Sequence, residues 1–189
     1  QEMVTQLQLK EHIQETFGRF VDPRIVGQLI EQPDGVELAG ERRTMTVMFS
    51  DIAGFTTISE RLSPQDLVSL LNAYLTKMAE PIRANRGVID KFIGDAILAY
   101  WGEPFVPEEE QGLLAARAAI ATTDLIQPFQ ESIPDILGIR DNPPAIDLRI
   151  GIATGPVVVG AIGSATSKNY TVMGDTVNIG ARLEAACKI

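Results

Sequence analysis

Two aspartates, Asp51 and Asp95, each stand at the end of a short apolar run of strand character, and together they constrain the fold and chemistry of this chain most. The first closes Thr44-Met45-Thr46-Val47-Met48-Phe49-Ser50-Asp51 and is followed at once by Ile52-Ala53-Gly54-Phe55-Thr56-Thr57. The second lies in Lys91-Phe92-Ile93-Gly94-Asp95-Ala96-Ile97-Leu98-Ala99, where a Gly-Asp turn joins two apolar strands into a hairpin. Taken singly, Asp51 reads as a helix cap and Asp95 as a turn residue. As a pair at the rim of one sheet, beside backbone N–H groups, they suit a hard cation and a polyphosphate.

The length of 189 residues predicts one domain with a short appendage. A net charge of −9 without a Lys/Arg stripe argues against a nucleic-acid surface. The single Cys187 fits a reducing compartment, and no run of 18 or more apolar residues offers a membrane span. A cytoplasmic location is expected, including that of a cytoplasmic part of a larger, membrane-attached protein.

Residues 1–35 read as a helical connector and 36–189 as the main domain. In the connector, Ile13, Phe17 and Phe20 fall at helical spacing, and His12 lies on a polar face as a surface residue. Asp22 and Pro23 then open a short helix through Ile30, as cap and first helical position. In the main domain, Ser63-Pro64-Gln65-Asp66 starts a helix whose apolar face is Leu67, Leu70, Leu71, Tyr74, Leu75 and Met78. A second helix is expected over Glu108–Phe129, burying Leu113, Leu114, Ala118 and Ile120, and residues 132–144 read as a loop. Ile146–Ala153 and Val157–Ile162 read as two strands parted by a turn at Gly155-Pro156. Tyr170–Met173 follows as a short strand, and Gly174-Asp175 leads into a final helix. This order predicts an α+β fold, a mainly antiparallel sheet packed with helices.

Three segments carry a resemblance: Phe49-Ser50-Asp51-Ile52-Ala53-Gly54-Phe55-Thr56, Lys91-Phe92-Ile93-Gly94-Asp95-Ala96 and Tyr170-Thr171-Val172-Met173-Gly174-Asp175-Thr176-Val177-Asn178-Ile179-Gly180-Ala181-Arg182. In this order and spacing the chain resembles the catalytic domain of class III nucleotidyl cyclases, with their ferredoxin-like fold, and the adenylyl cyclase branch fits best. The resemblance implies an enzyme converting ATP to 3′,5′-cyclic AMP and pyrophosphate as a homodimer. Asp51, Asp95 and the Ile52 carbonyl would hold two Mg2+ or Mn2+ ions per site, and the backbone of Ala53, Gly54, Phe55 and Thr56 would cradle the phosphates. Lys91 and Thr171 would read adenine, where guanine would call for an acid and a small residue. Asn178 would orient the ribose, and Arg182 would neutralise charge at the α-phosphate.

Many adenylyl cyclases carry aspartate where Thr171 stands, and threonine there resembles the bicarbonate-responsive cyanobacterial type. The family continues beyond Ile189 with further strands and a phosphate-binding lysine, so a C-terminally truncated domain is expected. The connector resembles the lead-in to such domains in sensors, which implies upstream sensor domains. Guanylyl cyclase, or a non-catalytic cyclase-like dimerisation module, is the alternative.

Overall fold

The computed structural model describes residues 22–31, 40–164 and 166–187. The expected helix before Pro23, with His12, Ile13, Phe17 and Phe20, lies outside them. Two compact units divide the chain: residues 1–41 with 158–172, and residues 42–157 with 173–189. The elements in chain order are α1 (Pro23–Glu31), β1 (Glu41–Ile52), α2 (Phe55–Ser59), α3 (Pro64–Ala84), β2 (Val88–Ile93), β3 (Ala96–Trp101), α4 (Glu108–Asp124), α5 (Ile126–Leu137), β4 (Leu148–Gly163), β5 (Lys168–Met173) and α6 (Asp175–Ala186).

In the smaller unit, Asp22 opens α1 as expected: its Oδ1 accepts the Arg24 backbone N–H at 3.0 Å, and its Oδ2 pairs with Arg24 Nη2 at 2.9 Å. Ile25 and Val26 on the same helix are buried. The far half of β4 pairs with β5, and the turn between them closes through Ser164 N–H donating to the Ser167 carbonyl at 2.8 Å.

In the larger unit the strand order is β2-β3-β1-β4. The β1–β3 and β2–β3 pairs are antiparallel, so the α+β assignment holds. Ser63 caps α3, accepting Asp66 N–H at 3.2 Å, and Leu70, Tyr74 and Met78 face inward at four-residue spacing. They pack with Met48, Ile52, Ile97, Ala99, Trp101, Ala115 and Phe129 into one apolar core. The rings of Tyr74 and Phe129 meet edge-on at 5.8 Å.

Four expectations are corrected here. The helix expected over Glu108–Phe129 breaks at Leu125, because Pro128 has no N–H to donate to the Asp124 carbonyl. Its buried face is Gln111, Ala115, Ala118 and Thr122, whereas Leu113 and Ile120 are 55% and 63% exposed: small side chains let α4 lie close to α3. Residues 132–137 are helical, not loop, since Phe129, Ile133 and Leu137 bury one stripe of α5 despite Pro134. Finally, β4 runs unbroken through Gly155-Pro156. Gly155 serves a close approach rather than a turn: a Cβ there would stand 2.7 Å from Thr176 Oγ1, and that hydroxyl donates to the Pro156 carbonyl at 2.8 Å.

Four residues back along β4, Gly151 repeats the device more severely. A Cβ there would meet the Gly180 carbonyl oxygen at 2.2 Å and the Glu184 nitrogen at 2.3 Å. Helix α6 therefore rests directly on the backbone of β4.

Candidate active site

The penultimate residue of β1 is Asp51, and Asp95 sits in the β2–β3 turn after Gly94, whose φ of 63° the tight reversal requires. Because β1 and β3 are paired with Ser50 opposite Ile97, the end of β1 and the hairpin turn come together. The Ile52 N–H donates to Asp95 Oδ2 at 3.0 Å, and the Asp51 and Asp95 carboxyl groups lie close enough to perturb each other. Burial, then the contact with Asp51 and its charge, push the Asp95 carboxyl up to about 7, with the Ile52 N–H pulling the other way. Burial and the charges of Asp95 and Asp51 likewise raise the Tyr74 hydroxyl, so it stays protonated.

Two carboxylates held this close relieve their repulsion by holding a proton, as the raised Asp95 carboxyl does, or by taking up a cation. Among the described residues no set of three or more His, Cys, Asp or Glu side chains forms a complete metal cage. The pair therefore fits a hard divalent ion that completes its shell with backbone carbonyl, water and ligand oxygens.

Two residues not singled out from the sequence belong to this region. Arg149 on β4 donates through Nη2 to Asp51 Oδ2 at 2.8 Å, and its Nε lies 3.0 Å from Glu184 Oε1 on α6. The second contact is an ion pair without hydrogen-bond alignment. Burial and the Asp51 charge raise the Glu184 carboxyl, which Arg149 partly counters. An arginine in the penultimate strand carries no local motif, and only the strand pairing reveals what it touches.

Lys91 is on β2, its Nζ 3.2 Å from Asp90 Oδ2. Gly54, in the left-handed region at φ 67°, opens the short helix α2 over Phe55 and Thr56. Ala53 N–H is committed to the Asp147 carbonyl at 2.9 Å. Asn178 and Arg182 stand one turn apart on the exposed face of α6. The contacts of Arg182 stay on its own helix: Nε to the Asn178 carbonyl at 3.4 Å and Nη2 to Asp175 at 3.5 Å. Residues two apart on a helix point about 200° from each other. Glu184 thus turns in toward Arg149 while Arg182 turns away from it. Thr171 lies on β5 in the smaller unit.

The profile of the adenylate and guanylate cyclase catalytic domain matches residues 39–188. The chain belongs to this family. Adenylate cyclase 1 of Rhizobium meliloti (strain 1021) is 37% identical over 173 residues, covering 92% of this chain and 25% of the relative. An adenylate cyclase of Anabaena cylindrica is 34% identical over 178 residues, covering 92% of this chain and 34% of the relative. The chain thus spans a quarter to a third of these curated relatives. Among solved cyclases, the adenylyl cyclase CyaB from P. aeruginosa superposes with a TM-score of 0.71 at 36% identity, over 78% of this chain and 74% of that one. The guanylyl cyclase Cya2 gives 0.69, also at 36% identity, over 77% and 71%. Cyclases of both base preferences are equally similar, so overall likeness does not choose between ATP and GTP.

Proposed function

We propose that this cyclase-family domain converts ATP to 3′,5′-cyclic AMP and pyrophosphate at sites formed between two copies of the chain. The observation that carries the reading is the division of the candidate groups. Asp51 and Asp95 converge at one place, while Asn178 and Arg182 point outward from α6 with no polar contact to either. A second subunit would supply the missing half of each site. Exposed apolar side chains flank both halves in support of this, Phe92 and Ile93 beside Lys91, and Ile179 and Leu183 beside Asn178 and Arg182.

Asp51, Asp95 and the Ile52 carbonyl would hold two Mg2+ or Mn2+ ions. Bound there, the ions supply Lewis-acid activation of the ribose 3′-hydroxyl and offset charge on the phosphates. The 3′-oxygen attacks the α-phosphorus, the bond to the bridging oxygen of the β-phosphate breaks, and pyrophosphate leaves. The hydroxyl proton passes to solvent. Asn178 orients the ribose, and Arg182 meets the charge that builds on the α-phosphate oxygens. Arg149, which donates to Asp51 Oδ2 at 2.8 Å and pairs with Glu184, would fix the orientation of the Asp51 carboxylate. The N–H groups of Phe55 and Thr56, in the first turn of α2, have no intrahelical acceptor and would cradle the β- and γ-phosphates.

Base choice falls to Lys91 and Thr171. An ammonium only donates and suits a ring nitrogen of adenine, while a threonine hydroxyl accepts from the 6-amino group. Leaving such groups unpaired with the wrong base costs about 1–3 kcal/mol each. The test is cyclic nucleotide formation from ATP and from GTP with Mg2+ or Mn2+. Preference for ATP is expected; turnover of GTP at an equal rate would replace the adenylyl reading with the guanylyl one, and no product from either would leave a dimerisation module. Given the share of the relatives it spans, the domain would act under sensor domains of a longer protein, through residues 1–35. Among the described residues no helix is long and apolar enough to cross a membrane.

A further inference from the structure

We propose that Glu184 is a positioning residue that limits Arg149 to a single hydrogen bond with Asp51 and so keeps that carboxylate open to a cation, an inference that rests on Asp51 as a metal-binding group. The Nε–H and one Nη2–H of an arginine lie side by side on one edge of the planar guanidinium, and this fork matches the two oxygens of one carboxylate. In this protein the fork is divided. Nη2 donates to Asp51 Oδ2 at 2.8 Å, while Nε lies 3.0 Å from Glu184 Oε1. The Nε contact is an ion pair rather than an aligned hydrogen bond, yet it occupies the place that a second Asp51 oxygen would take. Asp51 therefore receives one hydrogen bond from the arginine, and its other oxygen is not committed to it.

The seat of α6 on β4 fixes Glu184 for this task. Arg149 and Gly151 alternate onto the same face of the strand, and a Cβ at Gly151 would stand 2.3 Å from the Glu184 nitrogen and 2.9 Å from its Cα. The main chain of Glu184 thus rests on bare strand backbone beside the arginine. Among the described residues Arg149 is the one ion-pair partner of Glu184, and Asp51 and Glu184 are the two partners of Arg149. Both side chains of the second pair are largely shielded, so neither exchanges the other for water without cost. Without Glu184 the Nε–H would be a shielded donor facing no carboxylate. The acceptor already at hand is Asp51, which would close on the fork with both oxygens. A guanidinium held by two bonds competes with a cation for that carboxylate better than one held by a single bond. Loss of Glu184 should then weaken metal binding through Arg149.

The test is Mn2+ binding to the full chain without nucleotide, read as free Mn2+ by electron paramagnetic resonance. Glu184→Gln is expected to weaken Mn2+ about tenfold, the scale on which groups that orient a metal ligand act. Glu184→Asp keeps the charge but withdraws it by one methylene. It is expected to weaken Mn2+ about threefold, and it carries the test if the glutamine variant does not fold. In an Arg149→Lys background, where the charge remains but the fork is gone, either change should alter Mn2+ affinity by less than about twofold. Equal weakening in the two backgrounds would overturn the proposal and show that Glu184 acts on the cation directly through its charge. Parental affinity in Glu184→Gln would overturn it as well and assign Glu184 to helix packing. If Asp51→Asn itself binds Mn2+ as the parent does, Asp51 is no metal-binding group, and the inference falls with that reading. A loss with Asp51→Asn but none with either Glu184 variant removes the positioning role alone.

Discussion

Arg149 donates to Asp51 Oδ2 at 2.8 Å and reaches Glu184 Oε1 at 3.0 Å with its other face, so one guanidinium links the carboxylate site to helix α6. Both ends of this bridge are largely shielded, Asp51 at 21% and Glu184 at 12% side-chain exposure. Removing the arginine would leave two carboxylates without their cation. Arg149→Ala is expected to destabilise the metal-free protein by about 2–4 kcal/mol, somewhat less than the loss of one partner from a fully buried charge pair because these groups keep some exposure. Part of that loss should return with Mn2+, which would take over the charge on Asp51. Thermal melts of parent and variant with and without Mn2+ measure both effects; a variant as stable as the parent would show the bridge to be idle.

Metal binding and pH should be linked through Asp95. Its carboxyl is raised from 3.8 to about 7, so between these values the folded protein holds more proton than the unfolded chain. Stability rises with pH where the unfolded state binds more protons, and here the folded state does. The contribution of Asp95 is therefore full at acid pH, falls as pH climbs through that window, and is flat above it. A divalent ion would displace the proton and remove the slope. Melting temperatures from pH 5 to 8 should decline for the metal-free protein, flatten with Mn2+, and lack this component in Asp95→Asn.

Helix α6 depends on a bare backbone at Gly151, where a Cβ would meet main-chain atoms of Gly180 and Glu184 at 2.2 and 2.3 Å. Main chain cannot swing aside as a long side chain can. Gly151→Ala should cost about 3 kcal/mol or more and displace the helix that carries Asn178 and Arg182. Urea unfolding gives the first quantity. Turnover of whatever remains folded gives the second, and a variant with parental stability would mean that α6 packs elsewhere.

The face of α4 offers a plain check of the packing. Leu113→Gln, at an exposed position and between residues of similar helix propensity, should change stability by no more than about 0.5 kcal/mol. Ala118→Leu, at a fully buried one, should cost about 1–3 kcal/mol through overpacking. The reverse ranking would restore the apolar stripe expected from the sequence.

That stripe illustrates what a sequence carries and what it does not. Asp51, Asp95, Gly94 and the Ser63 cap were legible because each acts within a few residues of itself, through turn chemistry, capping or strand alternation. The inward face of α4 was not, since alanine and threonine at close helix contacts look no more buried than leucine in isolation. Gly155-Pro156 has the composition of a turn, yet the demand on it comes from Thr176 on a helix packed over the strand. Pro134 reads as a breaker, but three buried apolar residues hold α5 together around it. Arg149 and Glu184 are separated from Asp51 by 98 and 133 positions, and only the tertiary fold joins them.

The most direct test of a site shared between two subunits is a mixing experiment with cyclic AMP formation as the readout. Asp51→Ala and Arg182→Ala homodimers should each be inactive, because every site would lack either its carboxylate or its arginine. After subunit exchange at equal amounts, half of the dimers would be mixed, and each mixed dimer would hold one intact site of two, giving about a quarter of parental activity. A mixture as inactive as its two components, with exchange verified by labelled subunits, would contradict the shared site.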